Sequence, residues 1–166
     1  MNERLLLQPA EIVDYARPLI FLAGPIQGAS PWQYEAAELI HELNSELIVA
    51  YTRKEYKEGE FIYEKQVDWE THNLNRAAKT GAILFWLASQ IEDTPSRAYA
   101  QTTRFELGEW KVKYEFVGTK LAMGIGQHFG NYRYLKRRLA QDCPNLPIYD
   151  TLEDTCAEAV RLIDKK

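Results

Sequence analysis

Short, uninterrupted apolar runs recur along this chain, and each pair of neighbours is separated by a stretch whose apolar residues fall at helical spacing. Residues 18–23 read PLIFLA, 47–51 LIVAY, 82–87 AILFWL, 120–125 KLAMGI and 147–149 PIY. A strand that is apolar at successive positions has no face to offer water, so both of its faces must be covered. Between the runs, the spacing predicts helices over about 31–44, 62–79, 103–116, 132–140 and 152–163. The first has a marked start, with Ser30 at the N-cap, Pro31 at the first helical position and Gln33 three residues after the cap. Ala36, Leu39, Ile40 and Leu43 then form its apolar stripe, and Gly81 closes the second helix. Strands alternating with helices give an α/β fold with a mostly parallel sheet of about five strands and helices on both faces, in a flavodoxin-like or Rossmann-like doubly wound order. In such sheets ligands sit at the carboxyl ends of the strands. That rule selects three loops, at residues 24–30, 51–61 and 89–101, and the third reaches the length at which loops in compact domains are usually functional.

At 166 residues the alternation fills one domain spanning 1–166, long enough to bury a core without a disulfide or a structural metal. The net charge of −4 argues against a dedicated nucleic-acid binder, whose affinity rests on neutralising phosphates. The two cysteines, Cys143 and Cys156, form no Cys-x-x-Cys, which points to a reducing compartment and a cytoplasmic location. The longest clean apolar run, residues 82–88, is far too short to span a bilayer, so no membrane partner is expected. The opening MNERLLLQPAE does not read as a secretory signal. There is no internal repeat, low-complexity segment or Gly/Ser linker.

Three segments carry residue types suited to chemistry. Ala23-Gly24-Pro25-Ile26-Gln27-Gly28 lies between a strand and a capped helix. It is read either as a tight turn or as a place where a ligand approaches the backbone. It is neither GxGxxG nor a P-loop. Asp68-Trp69-Glu70-Thr71-His72-Asn73 puts two acids and an aromatic within one helical turn, with Glu70 and Asn73 at i, i+3; the plain reading is a solvated face with Trp69 in the core. Thr103-Arg104-Phe105-Glu106-Leu107-Gly108 fits a capping box, in which Glu106 would bond the amide of its own N-cap. Gly108 does not suit that picture, because a glycine inside a helix costs about 1 kcal/mol relative to Ala. It suggests close approach by a ligand or another segment. The basic, aromatic run at residues 132–138 reads as a solvated helix face rather than a nucleic-acid patch. His41, His72 and His128 fit no metal-ligand pattern, so no catalytic metal is expected.

Taken in order, Phe21-Leu22-Ala23-Gly24-Pro25, Asp68-Trp69-Glu70, Ala82-Ile83-Leu84-Phe85-Trp86, Thr102-Thr103-x-Phe105-Glu106-x-Gly108-x-Trp110, Tyr134-Leu135 and the tail from Pro147 to Thr155 resemble the nucleoside 2-deoxyribosyltransferase-like family. The resemblance spans roughly residues 19–163. It implies a Rossmann-like sheet, a nucleoside or nucleotide substrate, no cofactor, and a homo-oligomer. It also implies exchange or hydrolysis of the N-glycosidic bond through a glutamate nucleophile, which corresponds to Glu106. Where the family carries an Asp in the preceding helix, ungapped counting from Ala82 gives Asn73, and Glu70 one turn earlier looks like the substitute. Where the family carries a loop acid, this chain has Tyr99, Ala100 and Gln101. The implied mechanism is that of retaining glycosidases, with an ionised Glu106 attacking to form a glycosyl ester and Glu70 or Asp68, its pKa raised by burial beside Trp69 or Trp86, protonating the base. Gly24, Pro25, Gln27, Trp32, Asn73, Trp86 and Thr103 are the expected substrate-binding residues, with Trp32, Phe61 or Trp86 stacking on the base. Two other readings stay open: a nucleotide-binding or sensing module without turnover, and a scaffold in which Glu106 only caps its helix.

Overall fold

The apolar run at residues 19–23 becomes the central strand of a parallel sheet. The computed structural model of the protein describes residues 6–10, 12 and 16–164; the opening segment considered above for a secretory signal lies partly outside them. In chain order the elements are β1 (Leu6–Leu7), β2 (Leu19–Ala23), α1 (Trp32–Leu43), β3 (Ile48–Tyr51), α2 (Tyr63–Thr80), β4 (Ala82–Leu87), α3 (Gln101–Val117), β5 (Leu121–Ile125), α4 (Tyr132–Asp142), β6 (Ile148–Tyr149) and α5 (Leu152–Asp164). The sheet has six strands in the order β1-β3-β2-β4-β5-β6, and every neighbouring pair is parallel. The expected count was about five. The additional strand is the two-residue edge β1, which pairs Leu6 with Val49 and Leu7 with Ala50; two residues show no periodicity, so only the pairing reveals it. Without β1 the order is flavodoxin-like, and it reverses between β2 and β4.

All five residues of β2 are buried. They alternate between two cores, as a sheet covered on both sides requires. Leu19, Phe21 and Ala23 join Ile83, Phe85, Leu121 and Met123 under α2, α3 and α4, which contribute Trp69, Leu107, Trp110 and Leu139. Ile20 and Leu22 face α1 and α5 with Leu84, Ala36, Ile40, Cys156 and Ala159. Fully burying one such aliphatic or aromatic side chain is worth about 1.5–3 kcal/mol. No described helix is long and apolar enough to cross a membrane.

Two helix starts differ from the sequence expectation, and both bear on the site. Helix α1 begins at Trp32, with Pro31 rather than Ser30 at the cap and no side-chain cap bond. Gln33 is instead turned inward, donating to the Pro25 carbonyl and accepting from Arg53. Helix α3 begins at Gln101 after Ala100, whose φ of 58° lies in the left-handed region. Thr103 and Glu106 therefore sit inside the helix, and the capping box does not form. Freed from that role, Glu106 projects from the helix body.

Candidate active site

The three loops singled out by the strand-end rule close around a cleft of about 550 Å³ at the carboxyl edge of the sheet. Its floor is the end of β2, where Phe21, Ala23, Gly24 and Pro25 line it. The turn at Gly24 owes its shape to packing. A Cβ there would lie 2.3 Å from the Trp86 carbonyl oxygen and 2.5 Å from the Trp32 ring. The glycine thus permits close contact between protein segments while its backbone lines the cleft. Trp32 lies under the turn, its Nε1 donating to the Pro25 carbonyl at 2.9 Å. Arg53 ties down the rest of the loop. Its guanidinium donates to the carbonyls of Ile26, Ala29 and Ser30 and to the Gln33 side chain.

Helix α2 supplies the second wall. Tyr63, Gln66, Val67 and Glu70 line the cleft, and their i, i+3, i+4, i+7 spacing makes one stripe. Tyr56 donates to the Gln66 side-chain oxygen at 3.0 Å, and the Gln66 amide donates to Glu70 Oε1 at 3.0 Å. Tyr56 also meets Phe61 edge to face at 5.2 Å between centroids. An aromatic corner and a held carboxylate therefore share this wall. Burial raises the Glu70 carboxyl above the usual range, partly countered by the Gln66 hydrogen bond. Burial also raises the Tyr56 phenol, with the charge of Glu70 adding to the effect.

The third wall is the β4–α3 loop and the first two turns of α3, through Thr94, Arg97, Tyr99, Thr102, Thr103 and Glu106. The Tyr99 hydroxyl donates to the Ala88 carbonyl at 2.7 Å, and burial pushes its pKa up to about 12 against the lowering charges of Arg104 and Arg53. Tyr99 is therefore a neutral post of the loop. Burial is also the largest influence on Glu106. With the like charges of Glu70 and Glu109 added, its pKa is raised to about 8. Two carboxyls from different helices thus face one cleft, and the more perturbed of them holds its proton at neutral pH.

Among the residues expected at the site, Gly24, Pro25, Gln27, Thr103, Glu70 and Glu106 line this cleft. Asp68, Trp32, Asn73 and Trp86 do not. Around α2 each residue turns about 100°. Trp69 enters the core against Phe21, with centroids 6.2 Å apart, which leaves Asp68 exposed on the opposite flank from Glu70. Asn73 follows Trp69 by four residues and is drawn inside. It is 2% exposed, its Nδ2 donates to the Trp69 carbonyl, and its Oδ1 has no hydrogen-bond partner among the described residues. Trp32 and Trp86 belong to the core on the α1/α5 side, and the Trp86 ring lies so close to Gly124 that a Cβ there would fall 2.6 Å from it. Of the three aromatics proposed to stack on a base, only Phe61 reaches the cleft. A Cβ at Gly108 would meet no atom within 4 Å among the described residues, so none of them makes the close approach expected there.

Arg53, Tyr56, Gln66 and Arg97 were missed by sequence reasoning. The 63/66/67/70 stripe was legible as a second, partly polar face of α2; the loop residues carried no local signal. Among the described residues no group of three or more His, Cys, Asp or Glu side chains is placed to hold a metal ion. No protein-family model matches the chain, and no curated protein matches it.

Proposed function

We propose that this protein is a nucleoside 2-deoxyribosyltransferase-like enzyme of the cytoplasm that cleaves or exchanges the N-glycosidic bond of a nucleoside or nucleotide through Glu106. The observation that carries the reading is the pair Glu70 and Glu106 in one cleft beside the Tyr56–Phe61 corner. Breaking an N-glycosidic bond builds positive charge on the sugar and negative charge on the departing base, and a carboxyl pair answers both needs.

The mechanism implied by the resemblance has Glu106 ionised and the raised pKa on the other acid. Here the Glu106 pKa is itself raised to about 8, so Glu106 must give up a proton before it attacks, and that proton is available to the base. As the C1′–N bond breaks, its electron pair leaves with the base, which takes up the Glu106 proton relayed through Glu70. The Glu106 carboxylate forms the C1′–O bond, and the neutral base departs. In the second half a new base or water attacks C1′, gives up a proton and restores the Glu106 carboxyl. Glu70, held by Gln66, is the relay and the counter-charge to the cationic sugar.

Incubation with a panel of nucleosides and free bases tests the proposal. Exchange of bases means transfer, and base release without an acceptor means hydrolysis. Glu106→Gln is expected to lose at least about a thousandfold in rate, roughly 4 kcal/mol of barrier, while staying folded. A sugar adduct on the peptide containing Glu106 should appear by mass spectrometry with a slow substrate. Thermal shift by nucleosides with no turnover would favour a sensing module, the reading to which Tyr99, Ala100 and Gln101 lend support by standing where the family has an acid. Phe105, Val112 and Phe116 are exposed on α3 and support the homo-oligomer that the resemblance implies; light scattering measures it.

A further inference from the structure

The cleft holds a carboxyl from α2, a carboxyl from α3 and an aromatic corner, and Arg53, Lys54 and Arg97 also line it. Among the described residues none of these three cations has a carboxylate within ion-pairing distance; the ion pairs form elsewhere. Arg53 is committed to loop carbonyls, and Lys54 donates to the Pro9 carbonyl and lies over the Tyr56 ring.

Arg97 is different. It is exposed, and its guanidinium touches two neutral groups, the Gln27 side-chain oxygen at 3.3 Å and the Thr102 hydroxyl at 3.2 Å. Its backbone is pinned in a turn, with its N–H donating to the Thr94 carbonyl and its own carbonyl accepting from the Thr94 hydroxyl. A guanidinium offers five N–H donors, so this one keeps donors and its full charge for the cleft. A sugar carrying only hydroxyls has no use for a fixed, uncompensated guanidinium, whereas the planar fork matches a phosphate.

The position agrees with that chemistry. Thr102 precedes Glu106 by four residues on α3, so the Arg97 contact sits about 6 Å along the helix from the nucleophile position. The aromatic corner belongs to the Glu70 side through the Tyr56–Gln66–Glu70 chain. With C1′ at Glu106 and the base at that corner, the 5′ substituent of the sugar is left to extend toward Arg97. We infer that Arg97, with Gln27 and Thr102, forms a phosphate subsite, and that the substrate is a nucleoside 5′-monophosphate rather than the free nucleoside. This rests on the glycosidic reading above.

The test uses the full chain carrying Glu106→Gln, so that binding is read without turnover. Calorimetric titration compares the four deoxynucleoside 5′-monophosphates, the matching deoxynucleosides and inorganic phosphate. At least one monophosphate is expected to bind tenfold or more tightly than its nucleoside, with inorganic phosphate far weaker than either. Adding Arg97→Met should bring the monophosphate to within threefold of the nucleoside, and Arg97→Lys should restore part of the difference; unfolding curves confirm that both variants are folded. Equal binding of nucleoside and monophosphate, or a preference that survives Arg97→Met, overturns the phosphate subsite and leaves the glycosidic reading standing. Inorganic phosphate binding as tightly as the nucleotide also overturns it, as an anion site unrelated to nucleosides. If neither nucleosides nor nucleotides bind, the glycosidic reading fails and this inference fails with it.

Discussion

Glu106 should make the protein less stable as pH rises, and Glu106→Gln should remove that dependence. The carboxyl is displaced from its ordinary 4.5 to about 8 in the folded state, chiefly by burial and then by the charges of Glu70 and Glu109. Between those values the folded chain binds a proton that the unfolded chain has released, so stability falls with rising pH across that window. The favourable contribution of the neutral carboxyl is complete below about pH 4.5 and gone above about 8. At about 1.36 kcal/mol per tenfold change in proton affinity, the difference between pH 5 and pH 9 comes to about 4 kcal/mol. Water in an open cleft screens part of this, so about 2–4 kcal/mol is expected. Glutamine keeps the shape and carries no charge. Urea unfolding of wild type and Glu106→Gln at several pH values isolates the effect, because every other titrating group is common to both. The variant should match the wild type near pH 5 and exceed it by about 2–4 kcal/mol at pH 9, a gain in Tm of roughly 5–15 °C for a chain of this size. Parallel stability curves across that range would refute the partly buried, charge-crowded environment assigned to Glu106. An equal loss at all pH values would mean that the side chain holds a structural bond not seen here.

Other expectations follow from the same geometry. The profile of kcat/KM should be bell-shaped, with activity lost above about pH 8 as Glu106 ionises and lost on the acid side as Glu70 protonates above the usual carboxylate range; stopped assays on the hydrolysis or exchange reaction measure it, and Glu70→Gln should remove the acid limb. Gly24→Ala should cost about 2–3 kcal/mol in denaturant unfolding, since its Cβ meets the Trp86 carbonyl at 2.3 Å and backbone cannot easily yield. Gly108→Ala should stabilise the chain by about 0.5–1 kcal/mol, because the site is helical and open. A destabilised or differently sized assembly would instead place another chain against Gly108.

How far the molecule was legible before folding is clearest element by element. The runs 18–23, 47–51, 82–87 and 120–125 announced strands to within one residue at their starts, because a fully buried strand must be apolar throughout, and that demand is written locally. The alternation with helices then implied a parallel, doubly wound sheet, and the sheet implied which loops meet at its carboxyl edge. Gly24 and Pro25 fall in one of those loops, whereas Glu70 and Glu106 were named through the resemblance of their segments to a known family.

What remained was set by rotation and by distance. Asp68, Glu70 and Asn73 lie within six residues of sequence, yet one is in solvent, one faces the cleft and one is in the core. Which is which depends on where Trp69 docks against Phe21, and no local pattern states that. The capping box at Thr103 and Glu106 was a sound local reading, overridden because α3 starts at Gln101; two residues of helix turned a cap into a candidate nucleophile. The edge strand Leu6–Leu7 exists only through its partner β3. Nor could the chain show that Arg53, Lys54 and Arg97 would form no ion pair among the described residues, or that Glu106 would share a cleft with Glu70. A residue's type and helical phase are local properties, whereas its desolvation and its neighbours in charge arise only when segments distant in sequence are packed together.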